Sequence, residues 1–464
     1  MNITNILKTG VLAVFALAAI NSSAANIDVN TARATAGKFI NKNKNLTMKA
    51  GSTNAIKLAH AEASKVSGNA YYVFNIDGGG WVIVAGDDRA KQVLAYGDKG
   101  SIDMKELPGN MKDYLDLYKN QIEEMQSYKG EVVPAKAPRR SVVVEPLTKS
   151  TWGQAEPMDR QTPMISSTEH GAVGCGPLAM AQIMYYWKYP SGSPAIDQYY
   201  IYMFGTVPAL PETTFDYNLM LDKYTVYNPT TGGVSLGTYT NEQAEEVAKL
   251  CRYCGQACKV RYGGNNGSGS YTYDQRDAFL FMGFNEGLKL VGIDPASYCD
   301  NYRQGKYKTE EWIELICTEL EAGRPIAYHN VDFIDGHAWV LDGVDADGKF
   351  HMNWGFYERF DGWFEFNAFT IYPNGETWNF NGSGNEMVIN IYPYDGYVIP
   401  GDDEVLYGDV NGDGVVNPTD ATALINALLN EDLSTINEAN ADMDGNQTVN
   451  VTDAIQLINY LLSL

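Results

Sequence analysis

The chain is 464 residues long, 45% hydrophobic and 20% charged, which excludes a disordered chain, a collagen and a coiled coil and leaves room for about three domains. Its 34 basic and 57 acidic residues give a net charge of −23, which argues against a nucleic-acid partner. The acidity is uneven: residues 401–464 hold 12 acidic and no basic side chains, a composition that solvates itself or binds cations.

Lys8 followed by ten apolar residues (11–20) and the small residues Ser22, Ser23, Ala24 and Ala25 reads as a secretory signal peptide over 1–24. The apolar run is too short to cross a bilayer, and no later run approaches the ~18 residues a span needs. The mature chain is therefore expected to be secreted or at the cell surface, with no transmembrane segment. No Cys follows the apolar run, so a lipoprotein anchor is not expected.

Residues 25–140 form the next unit, a small α/β one. The pattern predicts a helix over 31–41 and a hairpin of 71–76 with 81–85 around Asp77, Gly78, Gly79 and Gly80. Helical spacing returns over 110–128, with Met111, Tyr114, Leu115, Tyr118, Ile122 and Met125 on one face. Residues 134–140, with Pro134, Pro138, Arg139 and Arg140, form an extended protease-sensitive linker.

Residues 141–395 are large enough for one substantial core. Helices are predicted at 176–189, 241–254 and 309–322, and strands at 325–329, 337–344, 350–354, 362–366 and 387–392. Helices first and strands second make this an α+β domain with segregated layers. A turn at Asp345–Gly348 folds the 350–354 strand back on the 337–344 strand and puts Val340 about opposite Asn353. Cys251, Cys254 and Cys258 lack a nearby fourth ligand and fit one stripe of a helix, so buried thiols or one disulfide are favoured over zinc.

Gly174-Cys175-Gly176-Pro177 opens the first of these helices, Pro177 suiting its first turn. A thiol at a helix N-terminus is biased toward thiolate, and flanking glycines leave room for a substrate carbonyl, so Cys175 is a candidate nucleophile against the alternative of a small buried Cys. A thiolate peptidase needs an imidazole to protonate the leaving group. His337 stands where a loop meets a strand, whereas His351 lies inside an apolar strand and reads as structural; His329 and His170 stay open.

A second linker over 396–404 leads to residues 405–464, which contain an internal repeat 33 residues apart. Asp409, Asn411, Asp413, Asn417 and Asp420 in the first copy and Asp442, Asp444, Asn446, Asn450 and Asp453 in the second occupy loop positions 1, 3, 5, 9 and 12, with the carbonyls of Val415 and Thr448 at position 7. Six to eight oxygens around a tight loop suit Ca2+, as a structural ion. The duplicated loop–helix unit resembles a type I dockerin module, ending in Asp rather than the Glu of an EF-hand. That resemblance implies an all-α fold and a cohesin-like partner on a scaffold or cell surface, met through positions 10 and 11: Pro418 and Thr419, Val451 and Thr452. Pro418 and Val451 depart from the small polar residue often found there.

Three stretches together are similar to the streptopain family of papain-fold cysteine peptidases: Gly174-Cys175-Gly176 with the helix running to Tyr185-Tyr186-Trp187; Gly336-His337-Ala338-Trp339; and His351-Met352-Asn353-Trp354-Gly355. Residues 72–89 resemble that family's inhibitory propeptide. The resemblance implies a zymogen whose Cys175 is the nucleophile and His337 the general acid and base. It further implies that Gln154 helps build the oxyanion hole, that Asn353 and Trp354 orient and shield the imidazole, and that 263–269 form a substrate-binding loop. Its substrates are proteins or peptides, and no cofactor is needed for catalysis. Two other readings stand beside it: another acyl-transfer enzyme on the same fold, and an inactive calcium-dependent binding or scaffold component.

Overall fold

Asp28 begins the first helix, α1 (Val29–Lys42), by accepting the Thr31 amide with its carboxylate. Ala32, Ala36 and Ile40, four residues apart, are its buried stripe. The computed structural model describes residues 26–43, 46, 55–128, 143–202, 205–228, 233–263, 267–292, 309–331, 336–366, 384–393, 407–411, 416–430, 432–443 and 448–463. The expected signal peptide and both linkers lie outside these residues.

Four strands follow: β1 (Ile56–Ala63), β2 (Asn69–Ile76), β3 (Trp81–Ala85) and β4 (Val93–Gly97). β2 and β3 are the expected hairpin, with Tyr71 opposite Ala85 and Asn75 opposite Trp81. Then α2 (Gly109–Ser127) buries all six apolar residues of its predicted face.

The next domain contains α3 (Cys175–Trp187), α4 (Asn241–Ala257), α5 (Thr272–Phe281), β5 (Lys289–Gly292) and α6 (Thr309–Glu321). Its central strands continue with β6 (Ile326–Val331), β7 (Gly336–Val344), β8 (Phe350–Asn353), β9 (Gly362–Phe364) and β10 (Gly384–Ile389), and among the described residues six short strands between residues 192 and 236 pair separately as three two-stranded ribbons. Val340 pairs with Asn353, as the turn at Asp345 requires. β10 starts before the predicted strand and stops earlier, where Asn390 takes a φ of +57°. β1, β4, α5 and β5 add to the elements read from sequence. α5 mixes aromatic, acidic and basic residues and has no side-chain cap.

The ten labelled strands form one sheet, in the order β1-β2-β3-β4-β9-β8-β7-β6-β10-β5. The N-terminal unit therefore shares its sheet with the domain that follows. β4 pairs antiparallel with β9, Tyr96 opposite Trp363 and Ala95 opposite Phe364. Apart, each of these strands would be an edge with unpaired amides and carbonyls; together they satisfy both. Strand alternation sends Trp339, Leu341, Met352 and Phe364 to a face shared with α2 and α6. Ala327, Val340 and Val388 face α3, α4 and α5 on the other side. α1 packs on Tyr72, Phe74, Val82 and Val84 at the N-terminal end.

The C-terminal residues make a separate small core of Val410, Ala421, Leu424, Ala441, Ala454 and Leu457 between α7 (Pro418–Leu429) and α8 (Val451–Ser463). Both helices start two residues before the Asp at loop position 12, at Pro418 and Val451. In α7 this follows from the reciprocal cap of Asn417 and Asp420, with Pro418 in the first turn. Among the described residues no helix is long and apolar enough to cross a membrane.

Candidate active site

Cys175 is the first residue of α3, after Gly174 at φ +94°, a conformation that favours glycine. A side chain at Gly174 would also press on the carbonyl of Ser268, so Ser268 lies beside the start of α3. Burial pushes the Cys175 thiol above its usual value, and the backbone amides of Ala338, Gly176 and Cys175 itself pull it back down. The net direction is upward, contrary to the bias expected from the helix terminus alone, because desolvation outweighs the three amides.

Ala338 is the neighbour of His337 on β7, so the amide aimed at the sulfur brings the imidazole's strand to the thiol. His337 is part-exposed and its Nε2 lies 3.3 Å from the Asp113 carboxylate of α2. Gly109, the first residue of α2, sits so close that an added Cβ would be 2.7 Å from His337 Cε1. Asn110 is buried and donates from its amide to the Trp354 carbonyl at 3.1 Å. The start of α2 thus occupies the imidazole. Periodicity does not single out Gly109 or Asp113, whereas Asn110 is marked in the sequence as a polar residue on the apolar face of α2.

The other expected site residues are placed as follows. The Gln154 carbonyl accepts the Val173 amide at 3.0 Å, tying its loop to the segment just before Cys175. That loop is held from the other side by Tyr357, whose hydroxyl accepts the Ala155 amide at 3.0 Å and whose ring covers Gly153. Asn353 is buried, but its amide donates to the Ser150 carbonyl at 2.8 Å and to Gln182 Oε1 at 3.2 Å. Its Oδ1 accepts the Gly355 amide at 3.1 Å, so among the described residues its hydrogen-bond partners are Ser150, Gln182 and Gly355. Trp354 is buried against Trp339 at 4.9 Å and Phe364 at 5.2 Å, with Tyr114 of α2 at 5.8 Å.

The remaining histidines and cysteines sort by partner. His351 Nδ1 is 2.6 Å from buried Asp342, as fits a structural residue. His170 Nδ1 is 2.6 Å from the Thr162 carbonyl. His329 meets Gln275 at 2.5 Å in the interior. Cys251, Cys254 and Cys258 are free buried thiols along α4, and burial pushes all three up.

In the C-terminal module Asp413, Val415, Asp444 and Asn446 lie outside the described residues. Asp420 is fully buried and closes the first loop, accepting the Asn411 amide at 3.0 Å and the Asn417 amide at 2.8 Å. Asp453 repeats this with Asn450 at 2.8 Å. Asp409 is buried as well, and Asn440 donates to its carbonyl at 2.8 Å. Buried carboxylates in a segment with no Lys or Arg fit a hard cation that takes only oxygen ligands.

Family models match three successive stretches: the Spi protease inhibitor over residues 24–122, the peptidase C10 family over 152–364, and the dockerin type I domain over 407–462. Over 374 residues the chain is 27% identical to streptopain of Streptococcus pyogenes serotype M1, covering 75% of this chain and 88% of that protein. It is 26% identical to the thiol protease/hemagglutinin PrtT of Porphyromonas gingivalis, covering 73% of this chain and 39% of PrtT. A solved fragment of Prevotella intermedia prointerpain A shares its fold, at 24% identity and a TM-score of 0.55, over 73% of this chain and 99% of the fragment.

Proposed function

We propose that the chain is a cysteine peptidase of the streptopain-type peptidase C10 family, behind an inhibitory propeptide and ahead of a dockerin type I module, that Cys175 and His337 carry its chemistry, and that α2 blocks it. The observation carrying the proposal is the packing of β7, which bears His337, against α3, which Cys175 opens, with the start of α2 lying on the imidazole. In the active enzyme the thiolate attacks the scissile carbonyl. Its oxyanion is held by the Cys175 amide and the Gln154 side chain. His337 gives its proton to the departing amine, leaving a thioester. Water, deprotonated by His337, then attacks the thioester, releasing the acid and the thiol. Trp354 shields the imidazole's strand, and Asn353 acts indirectly, fixing the 150 segment against α3. The substrates are proteins or peptides.

We take residues 25–140 as propeptide, 141–395 as peptidase and 405–464 as dockerin, with export directed by 1–24. Removal of the propeptide near Arg140 frees His337 from Asp113. In the C-terminal module Asp409, Asn411, Asp413, Asn417 and Asp420, and Asp442, Asp444, Asn446, Asn450 and Asp453, with the Val415 and Thr448 carbonyls, would hold two structural Ca2+ ions. The exposed Thr419 and Thr452 offer a face for a cohesin-like partner outside the cell. The deciding experiment is casein hydrolysis by the processed protein with and without Cys175→Ala. Full activity in the variant overturns the assignment.

A further inference from the structure

One buried histidine has no part in this chemistry, yet it is joined to the nucleophile by side-chain contacts. His329 on β6 pairs across the sheet with Ala338, whose amide points at the Cys175 sulfur. Its Nε2 is 2.5 Å from Gln275 Oε1, and Gln275 Nε2 is 2.6 Å from the carbonyl of Gly176. Both side chains are buried, Gln275 completely. The chemistry allows one arrangement. A carbonyl only accepts, so the amide nitrogen of Gln275 must face Gly176; its oxygen then faces His329, whose Nε2 must carry the hydrogen.

Gly176 is where this chain of bonds ends; it follows Cys175 directly in the first turn of α3, and its amide is among those that pull the thiol back down. A Cβ at Gly176 would lie 2.9 Å from Ser270 Oγ, so the residue is enclosed on its open side too. Holding the Gly176 carbonyl holds the residue whose N–H faces the thiol.

We propose that Gln275, locked by His329, is a positioning residue for Cys175: it fixes the first turn of α3 so that the Gly176 amide stays aimed at the sulfur through attack and acyl transfer. Burial pushes His329 down to about 3, so it remains neutral and keeps the single tautomer this bond requires. A charged partner there would need a counter-ion; a neutral imidazole needs only the amide oxygen.

The inference rests on Cys175 being the nucleophile. Its test uses propeptide-free enzyme and three readouts: kcat and KM on a peptide, the rate of iodoacetamide alkylation of Cys175, and the melting temperature. Gln275→Met removes both bonds at similar volume. It is expected to lower kcat and alkylation together by about tenfold, with KM within about twofold. His329→Phe should act in the same direction, and His329→Gln, which restores a neutral donor, should recover most of the loss. An alkylation rate equal to wild type in Gln275→Met overturns the proposal, as does a loss of activity matching only the fraction unfolded. If Gln275→Met does not fold, the pair His329→Phe and His329→Gln decides: equal kcat and equal alkylation in the two overturn it. Activity in Cys175→Ala would instead overturn the nucleophile assignment, so the two failures are distinguishable.

Discussion

The two ends of this chain attach to function in opposite ways. The N-terminal region merges with the peptidase: β4 adds to the edge of its sheet, and α2 lays Tyr114 on Trp339, Trp354 and Phe364. The hydroxyls of Tyr114 and Tyr118 both donate to the Glu365 carbonyl, and the buried Glu365 carboxylate lies between Lys91 of the propeptide and Lys349 of the peptidase. The C-terminal module instead closes on six buried apolar residues, around loops that bury carboxylates with no basic residue near them in sequence. One region is held by apolar area and strand pairing. The other has little of either, and on the proposed function a cation supplies the rest. A segment that must leave is thus built as part of the core, and one that must stay is built to depend on its surroundings.

The largest effect tests the enzyme that these two regions serve. Cys175→Ala and His337→Ala should each lower casein hydrolysis by about 10³-fold or more, since thiol and imidazole act as a unit, with melting unchanged. Asn353→Ala should cost less in rate and more in stability, because its amide joins Ser150 to Gln182. Comparable loss in Asn353→Ala and His337→Ala would assign Asn353 to the chemistry.

Next comes the metal dependence of the C-terminal module. Calorimetry of the full chain should show one transition that vanishes in chelator and returns with Ca2+, while the peptidase transition stays in place. Asp409→Ala with Asp442→Ala should reproduce the chelated trace. A trace indifferent to chelator would erase the contrast between the two ends.

A smaller effect probes the hold of α2 on the imidazole. Asp113→Ala should raise the inhibition constant of the propeptide roughly fivefold, the range of a part-exposed ion pair. Gly109→Val should weaken it further, since a Cβ already meets the His337 ring. Removing the propeptide should also red-shift tryptophan emission, because Trp339 and Trp354 lose the cover of Tyr114. Unaltered emission would mean the patch is covered by other residues.

The smallest effect concerns pH. Asp361 accepts the Trp354 amide at 3.0 Å, and burial pushes its carboxyl up to about 7. The folded state therefore holds this proton more tightly than the unfolded state, where the ordinary value is 3.8. Its contribution to stability is complete below that value and is lost as pH rises toward about 7. Asp361→Asn keeps an acceptor for Trp354 and removes the titration, so the variant should gain melting temperature over wild type at pH 8 and not at pH 4. Parallel curves at both pH values would dismiss Asp361 as the source.

Much of this molecule is local in origin and was visible along the chain. Amphipathic spacing is a property of consecutive residues, so α1, α2, α4 and α6 emerge from period, α3 is marked by an apolar run with Pro177 in its first turn, and the acidic repeat stands out by its regularly recurring Asp and Asn residues. The turn at Asp345 set the β7–β8 register because a short turn leaves one pairing open. The joining of β4 to β9 was invisible, since residues 96 and 363 are far apart in sequence and an unpaired edge carries no mark of its partner. The same holds for His329: its sequence neighbours are apolar strand residues, and its role comes from Gln275 on another element. The placement of Asp113 against His337 is of this kind too. Periodicity tells which face of a helix is buried, but long-range packing chooses what that face, and the polar residue at its end, will meet.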